Sequence, residues 1–341
     1  MNSLRVVFSF NYLVKSIREY RSELMAIAIL GVLVNHLVIV GDYDQSLPIV
    51  KCVLLIKQLV YTQGFLLLSG FGLYFALQNN CEFRRFYKRR LARLWIPYVV
   101  MSSPFLIFQC ISHHDSIWLL IGRLTTVSFW FEGNFCGMWY VAISMVLYFL
   151  FPLFYLLLFK DDKCVIVKTI ILIILLEGAF VCLKFYFRDY YDMLSIGICK
   201  IPAFFIGGGL GYIAYNDVQL EKRDSLLLIS FTVLWLFFSV MMKDSESLGI
   251  IYNLVSIPVC CIAFHFLSKS HTISRYFFIP LKTIGKYTLE IYVIHLMIIK
   301  TPELFPCFSP RQLAWFAIVV SLALSHPYSL LNKKAASFLL V

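Results

Sequence analysis

Two histidines lie in strongly apolar stretches of the sequence and are the first candidates for chemistry. His36 follows a run of Leu, Ile, Val, Ala and Gly, and His295 lies within a second apolar run. A polar ring at membrane depth is costly and is by default a functional candidate. Because histidine titrates at about pH 6.5, His36 can act as a general base. The alternative for His36 is a side chain that simply meets the membrane interface.

Polar residues before His295 share a face of its predicted helix. Gly285, Thr288, Tyr292 and His295 follow a 3, 4, 3 spacing, which places them on one side of a helix. This stripe must face protein or a water-filled cavity, because lipid cannot satisfy its hydrogen bonds. We therefore expect Tyr292 and His295 in the catalytic site. Glu290 lies on another side of the helix and is a candidate for substrate contact. The alternative is a stripe that packs helices together.

Basic residues precede another apolar stretch. Arg89, Arg90 and Arg93 stand just before Pro97-Tyr98. Arg90 and Arg93, at i and i+3, share a helical face, and the guanidinium fork matches phosphate oxygens. A phosphate-rich donor such as coenzyme A would meet these arginines first. The alternative is charge that serves only to fix the topology.

Small residues inside two spans can be interpreted in two ways. Ser69-Gly70 lies in one span and Gly207-Gly208-Gly209 in another. Such positions either allow helix backbones to approach closely or leave room for an acyl-pantetheine arm. In the second case Ser69 and Gly70 would contact the donor.

An aromatic pair opens a later span. Trp139-Tyr140 fits an aromatic belt at the membrane interface or a substrate-binding surface. Serine-hydrolase, P-loop, HExxH and GxGxxG patterns do not occur where they would matter, so the sequence gives no support to ATP-driven transport or metalloprotease chemistry.

The elements that position these residues are membrane helices. The chain has 341 residues, of which 60% are hydrophobic and 14% charged, and its mean hydropathy is +0.81; soluble domains carry about 25% charged residues. A span needs roughly 20 apolar residues. We predict ten spans, at 24–40, 54–77, 94–111, 138–159, 164–187, 198–215, 225–242, 248–267, 284–300 and 312–331. The apolar segment 116–131 contains Arg123 and is predicted to be an outer loop or interfacial helix.

Loop charges predict the orientation of this bundle. The net charge of +11 is concentrated in loops on one side, including the loop that carries Arg84 to Arg93, whereas the opposite loops are acidic or neutral. The positive-inside rule then places both termini in the cytoplasm and disfavours a nucleic-acid partner. We predict one all-α, polytopic membrane domain over residues 1–341.

Cysteine spacing gives no sign of a metal site. The ten cysteines lie mostly in apolar segments without repeated CxxC spacing, and Cys260-Cys261 is an adjacent pair inside a span. They are best interpreted as small core residues, and we expect no metal.

Taken in order, these motifs resemble the membrane-bound acyltransferase family 3, whose members modify cell-envelope sugars. The likeness covers roughly residues 20 to 300. The matching motifs are Ser22-Glu23-Leu24, Asn35-His36, Ser69-Gly70, Phe86-Tyr87 with Arg89-Arg90 and Arg93, Pro97-Tyr98, Trp139-Tyr140, Lys200 to Phe204 with the glycine run, and Leu281 to His295.

The resemblance implies an acyltransferase of the inner membrane. The donor would be an acyl-coenzyme A, usually acetyl-CoA, on the cytoplasmic side, and the acceptor a hydroxyl of an envelope glycan. His36 matches the family's first-helix histidine, which is implicated in acyl transfer, and it would act as the general base or carry the acyl group briefly. Arg90 with Arg93 match the family's RxxR motif. The family's first-helix arginine is replaced by the apolar stretch Met25-Ala26-Ile27. Arg21, just over one turn earlier, is the candidate substitute, but it lies about 22 Å before His36 along a helix and cannot touch it.

Two other functions remain open from the sequence. An exporter of envelope glycan would use intramembrane histidines for proton coupling, with no covalent chemistry. An inactive relative could instead assemble with a biosynthetic complex. Coenzyme A binding separates an acyltransferase from an exporter, which has no need of that donor.

Overall fold

The computed structural model describes residues 10–79, 82–133, 137–160 and 164–339. These residues form helices joined by short turns, and none of the described residues lies in a strand. The predicted all-α class is confirmed.

The helices are α1 (Phe10–Glu19), α2 (Arg21–Val40), α3 (Pro48–Leu59), α4 (Gln63–Gln78), α5 (Phe83–Ser112), α6 (Ile117–Leu124), α7 (Phe129–Glu132), α8 (Trp139–Phe154, extended by a π-helical turn Tyr155–Phe159), α9 (Val165–Tyr186), α10 (Arg188–Ile198), α11 (Ile201–Asn216), α12 (Lys222–Met241), α13 (Ser245–Leu267), α14 (His271–Ile273, followed by a π-helical turn Ser274–Phe278), α15 (Ile279–Lys286), α16 (Thr288–Lys300, followed by a 3-10 turn Pro302–Leu304) and α17 (Pro310–Leu339).

Eight helical segments of the described chain are long and apolar enough to cross a membrane. They are α2, α5, α8 with its extension, α9, α10 joined to α11, α12, α13 and α17. The chain is therefore a multi-pass membrane protein. Each of these segments corresponds to a predicted span, and the two remaining predicted spans are both interrupted.

The predicted span 54–77 is two helices rather than one. Between α3 and α4 the backbone becomes extended at Val60. Tyr61 donates its backbone N–H to Oδ1 of Asn253, on α13, at 3.0 Å. A broken helix at membrane depth requires such a partner, because lipid offers none. Hydropathy could not indicate the break, since its compensating residue is distant in the sequence.

We expect Asn253→Leu to destabilise the protein by about 1–3 kcal/mol, the cost of a buried N–H without an acceptor. Asn253 is fully buried, so water does not replace the lost acceptor. The melting temperature of the purified protein in detergent measures the effect. Asn253→Asp keeps an acceptor oxygen, so its melting temperature should fall less than that of Asn253→Leu. Equal melting temperatures for Asn253→Leu and the wild type would show that the amide does not stabilise the break.

The predicted span 284–300 is also interrupted, at Tyr287 between α15 and α16. Gly285 therefore does not belong to the helical face of Thr288, Tyr292 and His295, and the predicted four-residue stripe is wrong at its first member. A Cβ at Gly285 would collide with the carbonyl oxygen of Ser22. Glycine here lets α15 rest directly on the first turn of α2.

The glycine-bearing helices α4 and α11 are in backbone contact. A Cβ on Gly70 would collide with the carbonyl oxygen of Phe204, and one on Gly207 with that of Leu67. These glycines therefore serve close helix packing. The interface leaves no room for a donor arm at Gly70, so the alternative of a passage at this point is wrong.

The segment 116–131 folds as α6, a turn, and the start of α7. Arg123 organises it, with Nη1 at 2.6 Å from a carboxylate oxygen of Asp115 and Nε at 3.8 Å from one of Glu132. This side chain is buried, so the ion pairs are what allow an arginine within so apolar a segment.

Candidate active site

The two candidate histidines form a hydrogen-bonded pair. His36, near the end of α2, and His295, inside α16, place Nδ1 of the first 2.9 Å from Nε2 of the second. His295 is fully buried, whereas His36 is half-buried and lines a cavity. The structure thus joins two residues that the sequence presents separately.

The hydrogen bonds of His295 determine the direction of this pair. Nδ1 of His295 lies 3.0 Å from the carbonyl oxygen of Ile291, which can only accept, so His295 carries its proton on Nδ1. Its Nε2 is then the acceptor, and His36 donates from Nδ1. Nε2 of His36 retains its lone pair. This arrangement is that of a general base whose ring orientation and tautomer are fixed by a buried partner.

A cavity of about 150 Å³ lies beside His36, and we call it the histidine cavity. Its polar lining consists of Asn35, His36, Lys57, Thr62, Trp139, Tyr292 and Lys300. Nζ of Lys57 donates to Oδ1 of Asn35 at 2.9 Å. The cavity therefore combines an imidazole with two cationic side chains.

A second cavity, of about 170 Å³, begins at the other end of α2, and we call it the arginine cavity. Its charged lining consists of Arg21, Arg90, Arg93, Lys286 and Glu290. Four cations face one carboxylate, so the cavity attracts anions. The arginines that the sequence places in a loop lie in the first turns of α5.

Arg21 is held in the arginine cavity by neighbouring backbone. Its Nε donates to the carbonyl oxygen of Leu68 at 2.9 Å. A Cβ on Gly72 would stand 2.9 Å from Nη2 of Arg21, so glycine makes space for the guanidinium group. Arg21 therefore lines the same cavity as Arg90 and Arg93.

Arg90 has unused hydrogen-bonding capacity. Its Nε is buried and has no hydrogen-bond partner, while the guanidinium group lies 5.3 Å from the centre of the Phe86 ring. Buried donors without partners are rare in folded proteins. An anion that entered the cavity would supply the missing acceptor.

Hydroxyl groups line the inner wall of the arginine cavity. Oγ of Ser69 lies 3.3 Å from the hydroxyl oxygen of Tyr140, and the hydroxyl of Tyr148 donates to Ser69 at 3.4 Å. These groups lie deeper in the bundle than the exposed Arg93 and Lys286. They form a polar path from the cations toward the centre of the bundle.

The two cavities share part of their walls, and we call this shared wall the neck. Val32, Thr62, Trp139 and Tyr292 line both. The hydroxyl of Tyr292 donates to the carbonyl oxygen of Gly137 at 2.5 Å, which fixes this ring at the neck. The two cavities are therefore adjacent, with these four side chains common to their walls.

A buried ion pair positions Trp139 in the neck. Nζ of Lys200 lies 4.8 Å from the centre of a Trp139 ring and 2.7 Å from Oε2 of Glu246. The same oxygen accepts a hydrogen bond from Nε2 of Gln63 at 2.7 Å. Since Lys200 is almost fully buried, breaking this pair would leave an uncompensated charge.

The structure brings most of the predicted site residues together, but it divides them between the cavities. His36, His295, Tyr292 and Trp139 lie at or beside the histidine cavity. The predicted donor contacts Ser69, Arg90 and Arg93 line the arginine cavity, as do Tyr140 and Glu290, which the sequence assigned to substrate. Two predicted donor contacts lie elsewhere: Arg89 is exposed and Gly70 is in the helix interface.

Sequence reasoning missed Lys57 and Lys300 as site residues. Lys57 carried a usable signal, because it lies inside the predicted span 54–77, where a charged residue is a functional candidate. Lys300 lies at the end of a predicted span, a position where lysines commonly extend to the interface. Only the fold shows that both reach the same cavity.

The chain matches a known protein family. The profile of a family described as an acyltransferase domain matches residues 24–329, nearly the whole chain. Neither the search of curated proteins nor the search of solved structures gave a match.

Proposed function

Because the chain belongs to this acyltransferase family, we propose that it transfers an acyl group from acyl-coenzyme A to a hydroxyl of an envelope or extracellular polysaccharide, or of its precursor. Acetyl is the proposed acyl group. We place the protein in the inner membrane with both termini in the cytoplasm, so that the arginine cavity opens toward the cytoplasmic donor and the histidine cavity toward the outer face.

One observation carries this proposal: an anion-attracting cavity and a cavity with an oriented imidazole share a neck. The phosphates of coenzyme A would bind Arg21, Arg90 and Arg93, whose guanidinium forks match phosphate oxygens. The cavity is far smaller than coenzyme A, so the nucleotide would remain at the mouth near Arg93 and Lys286. The pantetheine arm would pass Ser69 and Tyr140 and bring the thioester to the neck.

The reaction at the neck requires one group that first removes the proton of the acceptor hydroxyl and then gives it to the leaving thiolate. Nε2 of His36 removes the proton of the acceptor hydroxyl as its oxygen attacks the thioester carbonyl carbon. A carbon–oxygen bond forms, the carbon–sulfur bond breaks, and His36 returns the proton to the leaving thiolate. His295 accepts the Nδ1–H of His36 throughout, which stabilises the imidazolium and holds the ring in place. The products are an ester and free coenzyme A.

Acetyl-CoA binding to the detergent-purified protein tests this proposal. We expect Arg90→Ala/Arg93→Ala to weaken binding by about 100-fold, as the loss of two charge-assisted hydrogen bonds predicts. Isothermal titration calorimetry measures the dissociation constants.

Arg84→Ala/Arg85→Ala is the matched control, because it removes the same charge from the same helix at exposed positions outside the cavity. It should bind acetyl-CoA nearly as tightly as the wild type. A folded wild-type protein that does not bind acetyl-CoA would contradict the proposal and favour an exporter or an inactive relative.

A further inference from the structure

The histidine cavity carries positive charge that the catalytic step does not use. Lys57 on α3 and Lys300 at the end of α16 both line it. Neither lysine forms an ion pair with a carboxylate of the described residues, and no described acidic side chain lines this cavity. This contrasts with the arginine cavity, where Glu290 offsets part of the charge.

The fold places Lys57 in the cavity through a close helix contact. A Cβ on Gly31 would lie 2.8 Å from Cα of Lys57, so glycine at this position of α2 lets the backbone of α3 approach at that residue. The side chain is then held by Oδ1 of Asn35 at 2.9 Å. Asn35 is neutral, so it orients the ammonium group without cancelling its charge.

A half-buried ammonium group without a counter-ion indicates an anionic ligand. Lys57 is half-buried, and charges that are withdrawn from water are normally paired. Lys300, which is exposed, adds a second cation at the same cavity and strengthens the attraction for anions. Asn35 and His36 are adjacent in the chain, so an anion on Lys57 would lie close to the catalytic base.

We propose that the acceptor is an anionic saccharide, whose carboxylate or phosphate group binds Lys57 and Lys300 while a hydroxyl of the same molecule faces His36. This inference rests on the proposed function, because it takes the histidine cavity as the acceptor site. It narrows the acceptor from any envelope glycan to one with acidic sugars or with sugar phosphates.

Weak binding of small sugars to the purified protein tests the charge preference. The probes are glucose, glucuronate and glucose 1-phosphate, which share a ring and differ in charge, and saturation-transfer difference NMR at low salt measures their binding. We expect the anionic sugars to bind about tenfold more tightly than glucose, as one charge-assisted contact predicts. Comparison of the two anions separates a carboxylate site from a phosphate site.

Lys57→Gln/Lys300→Gln should abolish this preference and leave glucose binding within about twofold. Lys51→Gln/Lys243→Gln is the matched control, since both lysines lie outside the cavity and the net charge changes equally. Equal binding of glucose and both anions by the wild type, or a preference that survives in Lys57→Gln/Lys300→Gln, would overturn the inference.

Acetyl-CoA binding in the same preparations separates this inference from the proposed function. The Lys57→Gln/Lys300→Gln variant should bind acetyl-CoA like the wild type, which also shows that it is folded. A wild-type protein that prefers anionic sugars through these lysines but does not bind acetyl-CoA would overturn the acyltransferase proposal and leave the anion site standing.

Discussion

Replacing His36 with alanine is expected to lower the rate of acyl transfer by about 10³-fold, within the range that a general base contributes. The variant loses the imidazole that lines the histidine cavity and whose Nε2 retains its lone pair. The arginine cavity is untouched, so acetyl-CoA should bind with the wild-type dissociation constant. Transfer of radiolabelled acetyl groups into glycan, in membranes that contain the native acceptor, measures the rate.

His326→Ala is the matched control for this substitution. His326 lies on α17, where its Nδ1 is 2.8 Å from the hydroxyl oxygen of Tyr287, and it lines neither cavity. Its removal should leave transfer close to the wild-type rate. Substantial transfer by His36→Ala, at equal amounts of inserted protein, would remove His36 from the mechanism.

The second large effect is expected at His295, which acts as a positioning residue. His295→Leu removes the acceptor for the Nδ1–H of His36 and should lower kcat by about 10²–10⁴-fold, comparable to the loss of an orienting group in other base–partner pairs. The dissociation constant of acetyl-CoA should not change. His295→Gln keeps an acceptor oxygen and should recover part of the lost rate.

The ranking of these two variants distinguishes positioning from packing. Leucine fills the space of the imidazole ring with apolar atoms, so a purely structural role predicts that His295→Leu is at least as active as His295→Gln. A positioning role predicts the reverse order in kcat, with equal binding of acetyl-CoA by the two variants. Equal rates for the two variants would mean that the hydrogen bond from His36 does not contribute.

The membrane helices were predictable from the sequence, whereas the two breaks were not. Helices such as α2 and α9 follow directly from the length of their apolar runs, because a single segment in lipid satisfies its own backbone hydrogen bonds only as a helix. The break at Val60 depends on Asn253, and the Tyr61–Asn253 hydrogen bond spans 192 residues of sequence. Local hydropathy contains no information about such a partner.

The sequence identified several residues of the candidate site, but it did not predict the contacts between them. His36 and His295 were identified because polar rings are rare in apolar runs, but the hydrogen bond between them joins positions 259 residues apart. One ring acts as the base and the other as its orienting partner because the carbonyl group of Ile291 accepts the Nδ1–H of His295. That direction is a property of the folded helix α16 and cannot be read from spacing.

The place of Arg21 in the site could not be predicted from the sequence either. In the sequence Arg21 lies just over one turn before the apolar stretch Met25-Ala26-Ile27 and is too far from His36 to touch it. In the fold it shares the arginine cavity with Arg90 and Arg93, because Gly72 leaves space for its guanidinium group. Which cavity a residue lines depends on the tertiary structure.

In the proposed mechanism, a thioester bound from the arginine cavity reaches His36 past the neck residues. Cryo-electron microscopy of the protein with a non-hydrolysable acetyl-CoA analogue tests it most directly. We predict coenzyme A phosphates on Arg90 and Arg93, and the acyl carbonyl carbon within about 3.5 Å of the acceptor-hydroxyl position beside Nε2 of His36, as a near-attack geometry requires. An analogue bound outside the arginine cavity, or one whose acyl group stops short of Trp139 and Tyr292, would contradict the account.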